Sequence, residues 1–194
     1  MGKGARGQAA AGAGTQAKLI AKNYNLFYLD TGKIYRYIGK LKLEDSKKFN
    51  YKFIKRKIND LKIIYLKNKS LLSNEVAVSA SIIAKDRKIR NIVHKFQQNC
   101  AYNPPKKFRG SVLDGRDITS IQVKDAMFKF YITANVEERA RRRFSEYKDL
   151  NKKISYAEVL KSLKKRDKSD KERKFGPLKK TKDSILINTT KLSK

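Results

Sequence analysis

Cysteine and histidine are almost absent from this chain: Cys100 and His94 each stand alone among 194 residues. A lone cysteine excludes a disulfide within the chain, and a single imidazole excludes a Cys/His zinc cluster. Long hydrophobic runs are missing as well. No window approaches the roughly 18 apolar residues of a membrane span, and the Gly/Ala-rich start lacks the apolar segment of a signal peptide. These absences predict a protein without a membrane segment, in the reducing cytoplasm. Acidic residues are scarce too, with 18 Asp+Glu against 48 Lys+Arg and a formal charge of +30. Such a field attracts phosphate-bearing ligands from nucleotides to RNA. The lysines run from Lys3 to Lys194 and form no single tail, so charge by itself does not say which.

What is present suits a folded domain. Apolar residues make up 40% of the chain, above the range of disordered sequences. The length matches one domain with room for a small insertion. Residues 1–16 are Gly, Ala and basic residues and read as a loop with little tendency to form a strand. From Thr15, "TQAKLIAKNY" reads as a helix, and "NLFYLD" as a short buried strand over Leu26–Leu29. The Lys-rich segment at about Glu44 to Leu72 reads as an inserted subdomain. "NEVAVSASIIAKDRKIRNIVHKFQQ" is helical, with Ile89, Ile92, Val93 and Phe96 on one stripe and Asp86 placed to cap its second part. The Pro pair in "NPPKKFRG" ends it. "SVLD" and "FKFYITA" read as strands, and Asn135 with Glu138, then Ser155 with Glu158, open two further helices. "SILIN" is a last strand. Strands alternating with helices predict an α/β fold whose mainly parallel sheet is covered on both faces.

Three places carry candidate chemistry. In "GQAAAGAGTQ", Gly7, Gly12 and Gly14 allow successive backbone N–H groups to turn toward an anion ahead of a helix. A phosphate loop also needs a Lys and a Ser/Thr for magnesium. Thr15 offers the hydroxyl, whereas the Lys position is Ala13; a flexible Gly/Ala linker explains the same residues. "FYLDTGKIYR" and "VLDGRD" each end a strand in Asp and continue into an Arg. Asp114 there is a candidate to orient magnesium-bound water, with Arg116 as a fork donor and Asp117 as an acceptor. Turns with surface charges explain these equally. On the helix from Ser155, apolar Tyr156, Val159 and Leu163 continue into Arg166, Asp170 and Arg173 on the same face, at roughly 100° per residue. That face is either a polar ligand site or a helix end projecting into solvent.

Taken together, "GQAAAGAGTQAKLIAKNYNLFYLDTGKIYR", "SASIIAKDRKIR", "VLDGRDI", "TANVEERARRR" and "KRDKSDKERKFGPL" resemble the bacterial-type cytidylate kinases of the P-loop nucleoside monophosphate kinase group. The resemblance runs in order over nearly the whole chain. It implies a single P-loop kinase domain over 1–194, with an inserted acceptor-binding subdomain at about 44–100 and a lid at about 144–154. It implies transfer of the ATP γ-phosphoryl group to CMP or dCMP with Mg²⁺, by a monomer that would meet nucleic acid only through nonspecific electrostatics. By similarity, ATP would lie on Gly7, Gly12, Ala13, Gly14 and Thr15, and the metal near Thr15 and Asp114. The acceptor would be held by Thr31, Arg36, Ser81, Arg90, Arg116, Asp117, Asp170 and Arg173, with Ser81 reading the cytosine edge and Arg90 the phosphate. Arg116, Asp117, Arg166 and Arg173 would serve the chemistry, and Arg139, Arg142 and Arg143 would lead into the lid.

One geometric condition follows. Ser81 and Arg90 are nine positions apart, so a single straight helix would set them on opposite sides; the helix must break between them, and Asp86 is the candidate break. Two departures from the family pattern also stand out. Ala13 removes a preorganised charge, a kind of loss that commonly costs about 10²–10³ in rate. "MGKGAR" occupies the place of an apolar central strand, which its composition does not suit. The sequence therefore admits three readings: a kinase, impaired or with Lys3, Lys18 or another lysine replacing the lost one; a nucleotide-binding protein without turnover; and a basic RNA-binding protein.

Overall fold

The computed structural model describes residues 2–149 and 153–192. Five strands form one sheet in the order β2-β3-β1-β4-β5, and every pairing is parallel. The strands are β1 (Gly2–Gly7), β2 (Phe27–Asp30), β3 (Ser111–Gly115), β4 (Phe128–Thr133) and β5 (Ile185–Asn188). Between them run helices α1 (Ala13–Asn23), α2 (Thr31–Glu44), α3 (Tyr51–Asn59), α4 (Asn74–Ile83), α5 (Arg87–Tyr102), α6 (Val136–Asp149) and α7 (Tyr156–Glu172). A π-helical turn, Ile118–Gln122, follows β3.

Alternation along the strands decides which helices cover which face. Leu29 and Leu113 belong to the large core shared with Ile34 and Ile38 of α2 and Ile89 and Val93 of α5. Val112 and Tyr28 point the other way, onto Ala17 and Ala21 of α1. The segment between α2 and α4 packs into the same large core through Ile54, Ile58, Leu66 and Leu71. A smaller cluster of Ala140, Val159 and Leu163 joins α6 to α7.

The expectation of a loop over residues 1–16 is corrected. Gly2–Gly7 form the central strand, paired with β3 from Gly2↔Ser111 to Arg6↔Gly115 and with β4 from Lys3↔Phe128 to Gly7↔Ile132. Propensity is overridden because two neighbouring strands supply the ladder on both sides, so any backbone that can extend is held there. The last residue explains one glycine: a Cβ on Gly7 would collide with the Ile132 carbonyl oxygen.

The helix boundaries follow their caps. Asp30 accepts from Gly32 N–H at 3.1 Å, so "TGKIYR" forms the first turns of α2. Ser155 and Glu158 form a complete capping box on α7. Helix α4 ends at Ile83, and Asp86 restarts the chain as α5 by accepting from Ile89 N–H at 3.0 Å. The required break between Ser81 and Arg90 is present.

Helices α2 and α4 approach closely at Gly39. A Cβ there would lie 2.9 Å from Ala80 N and 3.2 Å from Val76 O, both backbone atoms that cannot move independently of α4. In an open helix Gly→Ala gains about 1 kcal/mol. Here overpacking outweighs propensity, and Gly39→Ala is expected to lower unfolding free energy by about 1–3 kcal/mol, read as a shift in urea midpoint.

Candidate active site

Because the strands are parallel, their carboxyl ends emerge along one edge, where open α/β sheets bind ligands. Gly7 ends β1, Asp30 ends β2, and Asp114 faces Asp30 in register on β3. After Gly7 the chain turns through Ala10 (φ 59°) and Gly12 (φ 88°), both left-handed, and enters α1 with no side chain capping its first turn. Three donors hold this loop by alternate carbonyls: Arg116 Nη1 takes Gly7 O at 2.8 Å, Arg139 Nη1 takes Ala9 O at 3.3 Å, and Thr189 Oγ1 takes Ala11 O at 2.8 Å. An uncapped helix N-terminus behind a left-handed glycine turn is a place for a phosphate.

The side chains of the loop contribute little else. Ala13 is buried with Ala11, Ile132 and Ala134. The structure does not bring Thr15 to Asp114: Thr15 is exposed, and the position facing that carboxylate is Gly14, whose Cβ would lie 3.0 Å from Asp114 Oδ2. Asp114 Oδ1 is buried with no hydrogen-bond partner. Burial, then the neighbouring Asp30, raise the Asp114 carboxyl from 3.8 to about 7, while Arg116 and Lys18 pull the other way. Lys18 lies over the Tyr28 ring, 5.9 Å from its centroid, so its charge does bear on this corner.

A second group of charges gathers on α7. Asp170 faces three guanidiniums: Arg116 at 2.8 Å, Arg173 at 3.6 Å and Arg166 at 3.8 Å. Burial alone would raise the Asp170 carboxyl, but Arg116 and Arg166 outweigh it and hold it below the ordinary range. Arg166 is half-exposed into the cleft; enclosure by the cleft walls and the charges of Arg116, Arg36 and Arg143 lower it to about 10. Arg36 donates to Leu71 O at 2.7 Å, and Arg143 bears on it electrostatically. Arg36, Arg116, Arg166 and Arg173 therefore gather in one charged cluster, the walls of a candidate cleft.

Asp117 anchors the adjoining group. It pairs with buried Arg90 through Oδ2, lies 3.5 Å from His94 Nε2, and accepts from Gln122 Nε2 on Oδ1 at 3.0 Å. Burial pushes this carboxyl up, yet His94, Arg90 and Arg173 prevail and depress it. Gly176 (φ 62°) closes over the pair: a Cβ would collide with Arg90 Nη2 and Asp117 Oδ2, and its carbonyl takes Arg173 Nε at 2.5 Å. Only glycine fits there, for conformation and for space.

Two expected residues sit differently. Thr31 is buried, and its hydroxyl donates to Asp114 O at 2.7 Å, so it braces the strand end. Ser81 is exposed on the last turn of α4. The span 150–152 of the expected lid lies outside the described residues. Sequence reasoning passed over His94 and Gln122 beside Asp117, and gave no sign that Arg139, on the helix that leads toward the expected lid, is among the most buried side chains. The helical spacing Arg90–His94 was an available signal; nothing in the local sequence marks Arg139.

A glycine turn entering a helix at the end of a central parallel strand, facing a cleft of guanidiniums, defines a P-loop phosphotransferase. The family model "Cytidylate kinase" matches residues 5–194. Similar proteins named cytidylate kinase include those of Thermosipho melanesiensis (38% identical, over 96% of this chain and 88% of the relative) and Clostridium botulinum (35%, over 95% and 88%). That of Bartonella tribocorum is 40% identical over 96% of this chain and 86% of its own. This chain belongs to the cytidylate kinase family.

The raised Asp114 carboxyl has a consequence for stability. Its folded value of about 7 exceeds the ordinary 3.8, so the folded state binds the extra proton between them. The contribution is full below pH 3.8 and is lost as pH rises through about 7. Asp114→Asn cannot ionise, and its unfolding free energy relative to the parent is expected to rise between pH 5 and 8 by roughly 2 kcal/mol, one pKa unit being about 1.4 kcal/mol before solvent screening. Urea titrations at both pH values measure it.

Proposed function

We propose that this cleft transfers the γ-phosphoryl group of ATP to CMP or dCMP, giving CDP or dCDP. The observation that carries the reading is the convergence on Asp170 and Asp117 of guanidiniums from three separate segments, Arg90 on α5, Arg116 after β3, and Arg166 with Arg173 on and after α7, with Arg36 of α2 near enough to bear on Arg166 electrostatically. Two carboxylates cannot neutralise that much charge, so the cleft favours a polyanion. Phosphoryl transfer asks mainly for alignment and charge neutralisation, which arginines provide.

Donor phosphates would rest on the backbone of Gly7–Gly14 and the start of α1. Arg166, Arg173 and Arg116 would face the transferring group, while Arg90, Asp117 and Asp170 would hold the acceptor's base, sugar and phosphate. Ser81 would reach the cytosine edge from α4 across the gap to α5. Residues at about 44–100 would form the acceptor-binding insertion and those at about 144–154 the lid. Among the described residues no helix is long and apolar enough to cross a membrane.

Magnesium fits the donor end in part. Asp114 presents an unpartnered buried oxygen next to Asp30, the hard oxygen donor this ion selects, whereas Gly14 brings no hydroxyl. Asp114 and the nucleotide phosphates would hold it, and bound there it supplies charge neutralisation. Nucleotide binding without turnover is a second reading, favoured by Ala13 alone.

Coupled ATP-consumption assays with CMP, dCMP, UMP and AMP test the proposal; turnover with CMP or dCMP above UMP and AMP is expected, and none with any acceptor defeats it. Arg116→Ala is expected to lower kcat by about 10²–10³. The double change Ala13→Lys with Gly14→Ser restores the two side chains the loop lacks, and kcat is expected to rise by a similar factor of about 10².

A further inference from the structure

Two guanidiniums, one half-buried and one buried, tie the same two pieces of chain together in the same way. Arg116 donates Nη1 to Gly7 O at 2.8 Å and Nε to Asp170 at 2.8 Å. Arg139 donates Nη1 to Ala9 O at 3.3 Å, and its fork spans both oxygens of Asp167, at 3.1 and 2.6 Å. Gly7 and Ala9 are alternate residues of the phosphate loop. Asp167 and Asp170 are three apart on α7 and share a face of it. The loop that would carry the donor and the helix that would carry the acceptor contacts are thus fastened at two points, one near the transferring group and one behind it.

Arg139 is the stiffer fastening. It is 2% exposed, and its Nε is also held by Ala134 O at 2.9 Å, at the end of β4. With both carboxylate oxygens and two carbonyls engaged, the guanidinium has one orientation. If α7 shifts, either Ala9 follows or a buried cation loses its anion, which is strongly unfavourable. A rigid bidentate pair transmits displacement where a surface lysine would absorb it.

We propose that Arg139 and Asp167 are positioning residues that couple the phosphate loop to α7, so that filling the donor site sets the acceptor-binding face and the two nucleotides bind synergistically. This rests on the reading of the cleft given above for its ligands, though not for the mechanical link itself. Arg139 touches neither nucleotide in this scheme; it acts through Ala9 and through the helix that bears Arg166, Asp170 and Arg173.

The test uses the full chain with Asp167→Asn, which keeps shape and removes charge, and Asp167→Glu, which keeps the charge. Calorimetry gives the Kd of CMP alone and with a saturating non-hydrolysable ATP analogue; hydrogen exchange of the ligand-free proteins gives protection at loop residues 8–12. In the parent the analogue is expected to tighten CMP at least about fivefold. Asp167→Asn is expected to bind each nucleotide singly while that factor falls below about twofold, and Asp167→Glu to recover part of it. Loop amides are expected to exchange about tenfold faster in Asp167→Asn, with β2 and β3 unchanged. Unchanged coupling together with unchanged loop exchange overturns the proposal. So does exchange that quickens uniformly over the whole chain in both Asp167→Asn and Arg139→Lys, since that marks a purely global role. A parent that binds neither CMP nor the analogue defeats the proposed function, and the loop-exchange comparison then still decides whether α7 and the loop are linked.

Discussion

The structure turns on the placement of one guanidinium. Arg116 leaves the end of β3 and bridges the first carbonyl of the phosphate loop to Asp170 on α7. It does so because β3 lies next to β1 in a parallel sheet, which sends both strand ends to the same edge. The strand order therefore decides that a basic residue following one strand can reach the loop following another. Burial would strip Arg116 of its proton more easily, but Asp170 beside it reverses the effect and keeps its affinity for the proton above the ordinary value. A permanent cation is thereby maintained at the meeting point of the two halves of the cleft.

Charge in this protein divides into two populations. Most of the excess lysine is solvated and screened, and it shapes the long-range field without structure of its own. The arginines of the cleft are different: they are half-buried or buried, crowded against one another, and four of them, Arg90, Arg116, Arg166 and Arg173, are paired with Asp117 or Asp170. Burial, and then repulsion from Arg143 on Arg36 and from Arg116, Arg36 and Arg143 on Arg166, lower the proton affinity of both groups, and an anion placed among them would offset that repulsion. That is electrostatic preorganisation in its ordinary sense, since the cations need no rearrangement to meet the charge they serve.

The glycine loop after β1 shows how far a backbone conformation can be imposed by distant side chains. Its shape survives with alanines at positions 9, 10, 11 and 13, because the conformation is imposed from outside by Arg116, Arg139 and Thr189 on alternate carbonyls. Side-chain chemistry was the dispensable part for folding; for rate it is another matter, and Ala13 and Gly14 are where this chain departs from a fully equipped loop.

Much was readable in the sequence. The alternation of strands and helices, the Ser155–Glu158 box, the restart of the helix at Asp86, and the passage of one α7 face from Val159 and Leu163 to Asp170 and Arg173 all follow from local periodicity and capping, which act between residues a few positions apart. Family resemblance then supplied the cleft residues. What local pattern did not reveal was the central strand at Gly2–Gly7, the bracing role of Thr31, the approach of His94 and Gln122 to Asp117, and the burial of Arg139. Each depends on partners between 5 and 130 positions away, as with Thr31 and Asp114 O or Arg139 and Ala9 O. Local sequence determined which segments would be helix or strand and which side chains could be ionic; only the packed sheet decided which of those ions meet, because pairing energy at a distance along the chain exists only once the chain has folded.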